Sequence, residues 1–425
     1  MKQPPEICAS DDSSFAAYTL RNRLPHILRQ IIEDSDYATG VVYQLESLNT
    51  EVLEGTITPL VETGDRTSAI WSQCLQPHLD KSWFDAPFFF AEMYFYRRII
   101  DIVGYRNSAN PESCDPFLAK KRKGFADAQS RTQQLAEWLA TLSEKDNTME
   151  ALQELLLANL WSNCADLSQL PETFRPGPQG GLESAGTAPS PALPLIRGES
   201  KTDPSTSSRN VAQGGSRLLI DYAAEVATYC HTSQPLQRVD IILDNTGIEL
   251  ISDLALADFL LRTGLAQRVI LHAKDYPVFV SDATLHDIQF TIQQLMASDI
   301  TAVAQWGQRL SEWMAGQGLL VQHHSFWTLP LYFDVMVADL QADMNASDLW
   351  IVKGDANYRR LVGDRHWPLD TPIDSITQYL TVPCLALRVL KCELLVGMDM
   401  ATLESLELEN DWMTNGTYGV VQFMQ

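Results

Sequence analysis

From about residue 217 onward, short apolar runs alternate with stretches of helical period. The runs at 238–243, 268–273, 349–352 and 384–389 are bounded by charged or turn-forming residues and predict strands, with an edge strand at 417–423. Between and before them the spacing predicts helices over 217–232, 247–263 (stopped by Gly264), 284–296, 302–315 (ending near Gly316 and Gly318) and 334–343. Alternation of this kind predicts an α/β fold, a mostly parallel sheet flanked by helices.

Residues 13–170 carry a different rhythm. Phe15, Tyr18, Leu24, Ile27, Leu28, Ile31 and Ile32 fall near helical spacing after Ser13-Ser14, with Pro25 expected to kink or split the run. Phe88 to Val103 is aromatic and strongly apolar and reads as a helix packed on most sides; Gln133–Leu142 and Met149–Trp161 continue the pattern. No strand alternation interrupts it, so 1–172 is expected to be an N-terminal all-helical domain. Residues 173–216 are rich in Pro, Gly, Ser and Thr and nearly without large apolar side chains. Such a segment cannot bury enough apolar surface to offset its ordering entropy, and a disordered insertion is expected there. That leaves 217–425 as an α/β domain.

Composition narrows the function. A length of 425 residues accommodates two or, on length alone, three domains and a sizeable core. The formal charge of −23 excludes a basic nucleic-acid surface and disfavours an anionic membrane surface. Seven scattered cysteines without a C-x-x-C pair read as free thiols in a reducing compartment. No leader-like segment and no apolar run of roughly 18 residues occurs, so a cytoplasmic protein is expected.

The chemistry collects where the predicted strands end. The run 239–243 delivers Asp244 and Asn245, followed by Gly247 and by Glu249 in the first turn of a helix. The run 269–273 leads through Lys274 to Asp282. The run 349–352 leads into a Gly-containing turn with Lys353, Gly354, Asp355 and Asn357, and the run 385–387 leads into Arg388 and Lys391. Ligands of open α/β sheets bind outside the carboxyl ends of the strands. Carboxylate and amide oxygens with fixed cations on one such edge suit a hard divalent metal and a phosphate. Each residue also has a plainer reading: Asx residues cap helices, Glu249 suits a helix N-terminus, and a Lys in a turn is commonly solvated. The histidines form no metal-binding pattern, and the chain lacks G-x-S-x-G, Walker and G-x-G-x-x-G motifs.

Taken together, Asp244-Asn245-Thr246-Gly247-Ile248-Glu249, Pro277–Asp282, Lys353–Leu361 and Arg388-Val389-Leu390-Lys391 resemble the DUF89 damage-control phosphatase family. The closing Arg-x-x-Lys resembles its subfamily III, which includes an acidic residue methyltransferase. In the N-terminal half, Arg23-Leu24-Pro25, Ala91–Arg98, Asp115-Pro116-Phe117 and Leu160–Ser168 are similar to family stretches. The resemblance implies a phosphatase that uses a divalent metal (Mn, Co, Ni or Mg) on small phosphorylated metabolites, with sugar phosphates such as fructose 1-phosphate favoured. It implies Asp244, Asn245 and Asp282 as metal-binding catalytic residues, Lys353–Asn357 and Lys391 as substrate-binding residues, and Glu249 as a match to a methyl-donor position. Val389 stands where the family has Thr, and Val278 where it has Trp. A carboxyl methyltransferase would need a nucleoside pocket that no glycine-rich loop announces. A non-enzymatic binding protein would not need a competent ligand at every metal position.

Overall fold

The computed structural model describes residues 3–60, 67–108, 110–142, 148–163, 217–405 and 410–425. The expected insertion at 173–216 and the stretch 164–168 lie outside the described residues. Seven strands form one sheet: β1 (Leu218–Asp221), β2 (Val239–Ile242), β3 (Val269–Ala273), β4 (Leu319–His323), β5 (Leu349–Lys353), β6 (Cys384–Val389) and β7 (Gly419–Met424), in the order β1-β7-β6-β5-β2-β3-β4. Every neighbouring pair is parallel except β6–β7. The chain leaves β2 for β3 and β4 on one side, then returns as β5 and β6 on the other. The strand order therefore reverses between β2 and β5, and a crevice opens there at the carboxyl ends.

The described N-terminal helices are α1 (Phe15–Tyr18), α2 (Leu24–Glu33), α3 (Thr39–Glu54), α4 (Ser68–Leu75), α5 (Phe88–Ile102), α6 (Leu118–Asp127), α7 (Gln129–Thr141) and α8 (Thr148–Ser162). Those of the α/β part are α9 (Ala223–Thr232), α10 (Ile248–Arg262), α11 (Leu285–Met296), α12 (Thr301–Ala315), α13 (Ala338–Met344), α14 (Gly354–Val362), α15 (Ile373–Ile376) and α16 (Met400–Ser405). No helix among the described residues is long and apolar enough to cross a membrane.

Strand side chains alternate between two apolar cores, as a period of two requires. Ile242, Trp350, Val352, Cys384 and Ala386 face a core shared with α1–α5 and with the loop around Phe326–Phe333. Val239, Ile241, Leu349, Ile351, Leu385 and Leu387 face a core shared with α7, α8 and α10–α12. The N-terminal helices thus contribute to the packing of both faces of the sheet. Helix α10 is buried on all sides, and its carboxylates are paired: Arg309 meets Asp258 at 2.7 Å and Lys353 meets Asp253 at 3.1 Å.

Four local expectations are corrected. The helix expected over 217–232 is β1 followed by α9, because Leu218, Leu219 and Ile220 also continue the helical spacing of Ala223 and Val226. Strand β4 was not expected; it is short, half-exposed, and lies close behind Gly316 and Gly318. The strand expected at the edge, β7, lies inside the sheet between β1 and β6. The turn expected at 353–357 is the junction of β5 with α14, entered directly through Gly354. Around Pro25 the helical run continues from Phe15 to Glu33 through a π-helical turn, Thr19–Arg23, with Pro25 just beyond it in α2.

Candidate active site

The floor of the crevice is stitched from two loops. Ala283 N–H donates to the Asp244 carbonyl at 2.8 Å, Thr246 N–H donates to the Ser281 carbonyl at 2.8 Å, and Asn245 and Asp282 form an antiparallel bridge. Asp244, Asn245 and Asp282 are therefore held by backbone pairing beyond the ends of β2 and β3. The loop that supplies Asp282 is strained. Phe279 (φ 47°) and Val280 (φ 71°) both adopt the left-handed region. That region is unfavourable for a β-branched side chain and costs on the order of 1–3 kcal/mol per residue. Complete burial of Val280 and the stitching hold it there.

Gly354 is required twice over. Its φ is +80°, and a Cβ at this position would lie 1.9 Å from Asp244 Oδ2. The missing side chain lets β5 run into α14 against the Asp244 carboxylate.

A hydrogen-bonded layer lies beside and beneath Asp244. Asn245 Nδ2 donates to Asp244 Oδ2 (2.8 Å) and Glu249 Oε2 (2.9 Å), while the Ser281 hydroxyl donates to Asn245 Oδ1 (2.6 Å). Asn163, at the end of α8, donates to Asp244 Oδ2 at 3.0 Å and also to Glu249. Lys391 Nζ donates to Asn163 Oδ1 at 2.8 Å and to its carbonyl at 2.5 Å. Lys353 Nζ lies 3.0 Å from Glu249 Oε1 and 3.1 Å from Asp253 Oδ1, and donates to the Asn159 carbonyl at 3.2 Å. Burial pushes the Asp253 carboxyl up to about 6, with Lys353 pulling the other way.

On the other side of the floor, Lys274 Nζ lies 3.5 Å from Asp282 Oδ2 and donates to Asn357 Oδ1 at 3.0 Å. Burial lowers the Lys274 ammonium's pKa, and the charge of Asp282 opposes that. Asn357 Nδ2 ties the floor together by donating to the carbonyls of Leu243 (3.0 Å) and Lys353 (2.8 Å). Asp355 Oδ1 accepts from Arg388 Nε at 2.8 Å and from the Lys391 N–H at 3.2 Å.

The cleft itself is lined by Asp244, Asn245, Asp282, Asp355, Ala356 and Lys391 on the floor side, and by Phe15, Arg23, Glu92, Phe279 and Arg359 on a facing wall. Glu92 Oε2 accepts from Arg359 at 2.5 Å, and Arg359 also grips Asp364 at 2.8 and 3.0 Å. Burial raises the Glu92 pKa, and Arg359 opposes the rise.

Of the candidates read from sequence, Asp244, Asn245, Asp282, Asp355 and Lys391 thus share one cleft. Glu249, Lys353, Gly354, Asn357 and Arg388 stand behind it. The Lys353 ammonium faces α10 rather than the cleft, and Arg388 is fully buried over the Tyr358 ring at 4.3 Å. Sequence reasoning assigned no role to Asn163, Arg23, Glu92 or Arg359, and named Lys274 only as a strand-end cation. Lys274 stands just past the end of β3, so the strand-end rule that found Asp244 also covers it. Arg23, Glu92 and Asn163 lie inside the stretches that carried the family resemblance, without any periodic signal of their own.

Fold and cleft together define an α/β protein with acids and lysines converging at its switch point, the layout of an enzyme for small charged molecules. The family model described as the damage-control phosphatase ARMT1-like domain matches residues 19–180 and 197–406. The chain is 32% identical over 460 residues to damage-control phosphatase ARMT1 of Danio rerio, covering 100% of this chain and 97% of that protein. It is 33% identical over 466 residues to the Xenopus tropicalis protein of that name, covering 99% of each. For the Homo sapiens protein the identity is 29% over 463 residues, covering 99% of this chain and 98% of that one. The chain belongs to the damage-control phosphatase ARMT1-like family, as the sequence resemblance implied. Among solved structures, a DUF89 family protein from Pyrococcus horikoshii aligns with a TM-score of 0.46 at 13% identity, covering 95% of this chain and 96% of that one.

Proposed function

We propose that this chain is a divalent-metal-dependent phosphomonoesterase that hydrolyses small phosphorylated metabolites, sugar phosphates such as fructose 1-phosphate among them. The observation that carries the reading is the meeting of Asp244, Asn245 and Asp282 with Lys391 in one cleft at the sheet's switch point. Family membership supports the phosphatase class.

The donor set fits a hard cation. Among the described residues no three His, Cys, Asp or Glu side chains cluster as a metal cage. The candidate set is instead two buried carboxylates and an amide, which suits an ion such as Mg²⁺ or Mn²⁺ that keeps part of its water. Gly354 leaves Asp244 room on the side where any other residue would press against it. Charge argues the same way. The described lining carries four carboxylates (Glu92, Asp244, Asp282, Asp355) against three cations (Arg23, Arg359, Lys391), an unfavourable site for a phosphate dianion alone. When bound, a divalent ion would supply the missing positive charge and polarise the phosphoryl group.

The chain's own groups have separate tasks in this reading. Asp244, Asn245 and Asp282 would hold the ion. Ser281 fixes the face of the Asn245 amide, and Lys274 offsets the charge of Asp282 from behind. Lys391, held by Asn163, would bind the phosphate and stabilise charge developing on its oxygens. Lys353 would act from beneath by fixing Glu249, which in turn orients Asn245 and Asn163. The metal and phosphate groups belong to 217–425, and residues 1–172 supply Asn163 and much of the wall. A cytoplasmic location is part of the reading, supported by six described cysteines that are all free.

Calorimetric titration of the chelated protein with Mn²⁺ and Mg²⁺, beside phosphate release from fructose 1-phosphate, tests this. Saturable binding and restoration of turnover by the same ion are expected. Full turnover by chelated protein that binds neither ion would overturn the metal assignment.

A further inference from the structure

We infer that helix α6 is a clamp on the two metal-bearing loops, with Lys121 as its positioning residue: from outside the cleft it sets how Asp282 is presented to the divalent ion. The inference rests on the metal assignment above and deepens it.

Helix α6 belongs to the N-terminal part of the chain, and none of its residues is in the described cleft lining. Its Lys121 ammonium is nevertheless buried, 2.9 Å from Asp115 Oδ2 and 2.8 Å from Asp287 Oδ2. Burial works against that charge, but the two carboxylates outweigh it, so the Lys121 pKa is raised. A buried ion cluster is weak evidence for stability, because desolvation offsets most of the attraction. This one is informative for what it holds. Asp287 Oδ2, the oxygen that Lys121 grips, also accepts from the Thr284 N–H at 3.0 Å and from the Thr284 hydroxyl at 2.7 Å. Thr284 caps α11, is bridged to Lys274, and follows Asp282 closely in the chain.

A second arm leaves the same segment. Phe117, immediately before α6, meets the Tyr96 ring at 6.0 Å, and Tyr96 meets the Phe279 ring at 5.2 Å. Phe279 and Val280 carry the left-handed backbone that leads into Asp282. The strained loop is therefore gripped on both sides of Asp282, by rings before it and by the Lys121–Asp287–Thr284 chain after it. A further contact reaches the other metal loop. A Cβ on Gly247, whose φ is +70°, would lie 3.3 Å from the Gly124 carbonyl oxygen, so the α6 backbone packs directly against the turn that follows Asn245. One helix thus touches both loops without entering the cleft. Groups that orient metal ligands from behind typically change metal affinity by roughly 10- to 100-fold when removed.

The test titrates Mn²⁺ calorimetrically into the chelated parent protein and Lys121→Met, and follows phosphate release from fructose 1-phosphate against Mn²⁺ concentration. Lys121→Met cuts the tie to Asp287. It should weaken Mn²⁺ binding by roughly 10-fold or more, while kcat at saturating Mn²⁺ stays within about threefold of the parent. Should Lys121→Met fail to fold by its melting curve, Thr284→Val is read in its place. That variant keeps every charge and removes the hydroxyl that Asp287 holds, and a loss of at least about threefold in Mn²⁺ affinity is expected. A lower melting temperature with parental Mn²⁺ affinity would mean that the cluster only supports the fold, and would overturn the clamp. A loss of turnover that saturating Mn²⁺ does not repair would overturn it too. A parent that binds neither Mn²⁺ nor Mg²⁺ overturns the metal assignment instead, and the clamp with it.

Discussion

Asp244 and Asp282 reach the cleft from loops rooted in adjacent parallel strands, whereas Glu92 and Arg23 reach it from helical segments that meet the sheet through side-chain packing. The floor inherits its geometry from backbone pairing: Ile242 is in register with His272 and Val352, and the loops beyond are bridged at Asn245 and Asp282. The wall inherits its geometry from an apolar core of Phe88, Phe89, Tyr94 and their neighbours, plus one Arg359–Asp364 clamp. A floor set by a ladder tolerates little variation, and a wall set by packing can be remodelled residue by residue. In the proposed reading the same line divides the tasks: the floor holds the metal and the phosphate, and the wall faces the rest of the substrate.

Three changes probe that division, the most damaging first. Asp244→Ala removes a floor carboxylate that Asn163, Asn245 and Gly354 all press against. It is expected to abolish both metal binding in calorimetry and phosphate release; a variant that binds metal and turns over like the parent would return Asp244 to a capping role. Lys391→Ala strikes the floor's cation and leaves the metal set whole. Metal affinity should persist while kcat falls by about 100-fold, on the order of 3 kcal/mol for one preorganised electrostatic donor. If metal affinity collapses as well, Lys391 and Asp244 are not separable.

The smallest effect concerns the layer beneath the floor. Asp253 has a folded pKa of about 6, raised above its ordinary value by burial. A carboxyl raised in this way contributes stability at low pH, where it is neutral in both states, and loses it as pH rises through about 6. Removing it with Asp253→Asn should therefore make the variant's melting temperature improve relative to the parent as pH rises from 4 to 7. A difference that stays flat over that range would mean Asp253 titrates normally.

Much of the floor was legible because one rule, polar residues at the ends of apolar runs, coincides with how sheets build crevices. Asp244, Asn245, Asp282, Asp355 and Lys391 follow it. Lys353 obeys it by position and departs by direction. It continues the parity of Leu349 and Ile351, so its side chain turns toward α10 and meets Glu249 and Asp253. Glu92 could not be found that way. A carboxylate inside an aromatic helix has the same local sequence whether it faces a cleft or an ion pair, and only tertiary packing decides. The strands show the same limit. The strands β2, β3, β5 and β6 were plain as bounded apolar runs. In contrast, β1 merged with the helix after it, and the insertion of β7 inside the sheet leaves no periodic trace.

That insertion has a consequence for assembly in time. Strand β1 borders only β7, and β7 is the last strand in chain order. While a ribosome has delivered the chain only as far as Val389, the parallel block β6-β5-β2-β3-β4 can pair, but β6 stands as an unprotected edge and β1 has no neighbour. An open edge of this kind is a template for wrong partners. The interval between synthesis of β6 and of β7 is therefore an exposed one, after every residue of the cleft except Lys391 has been made and before the sheet can close.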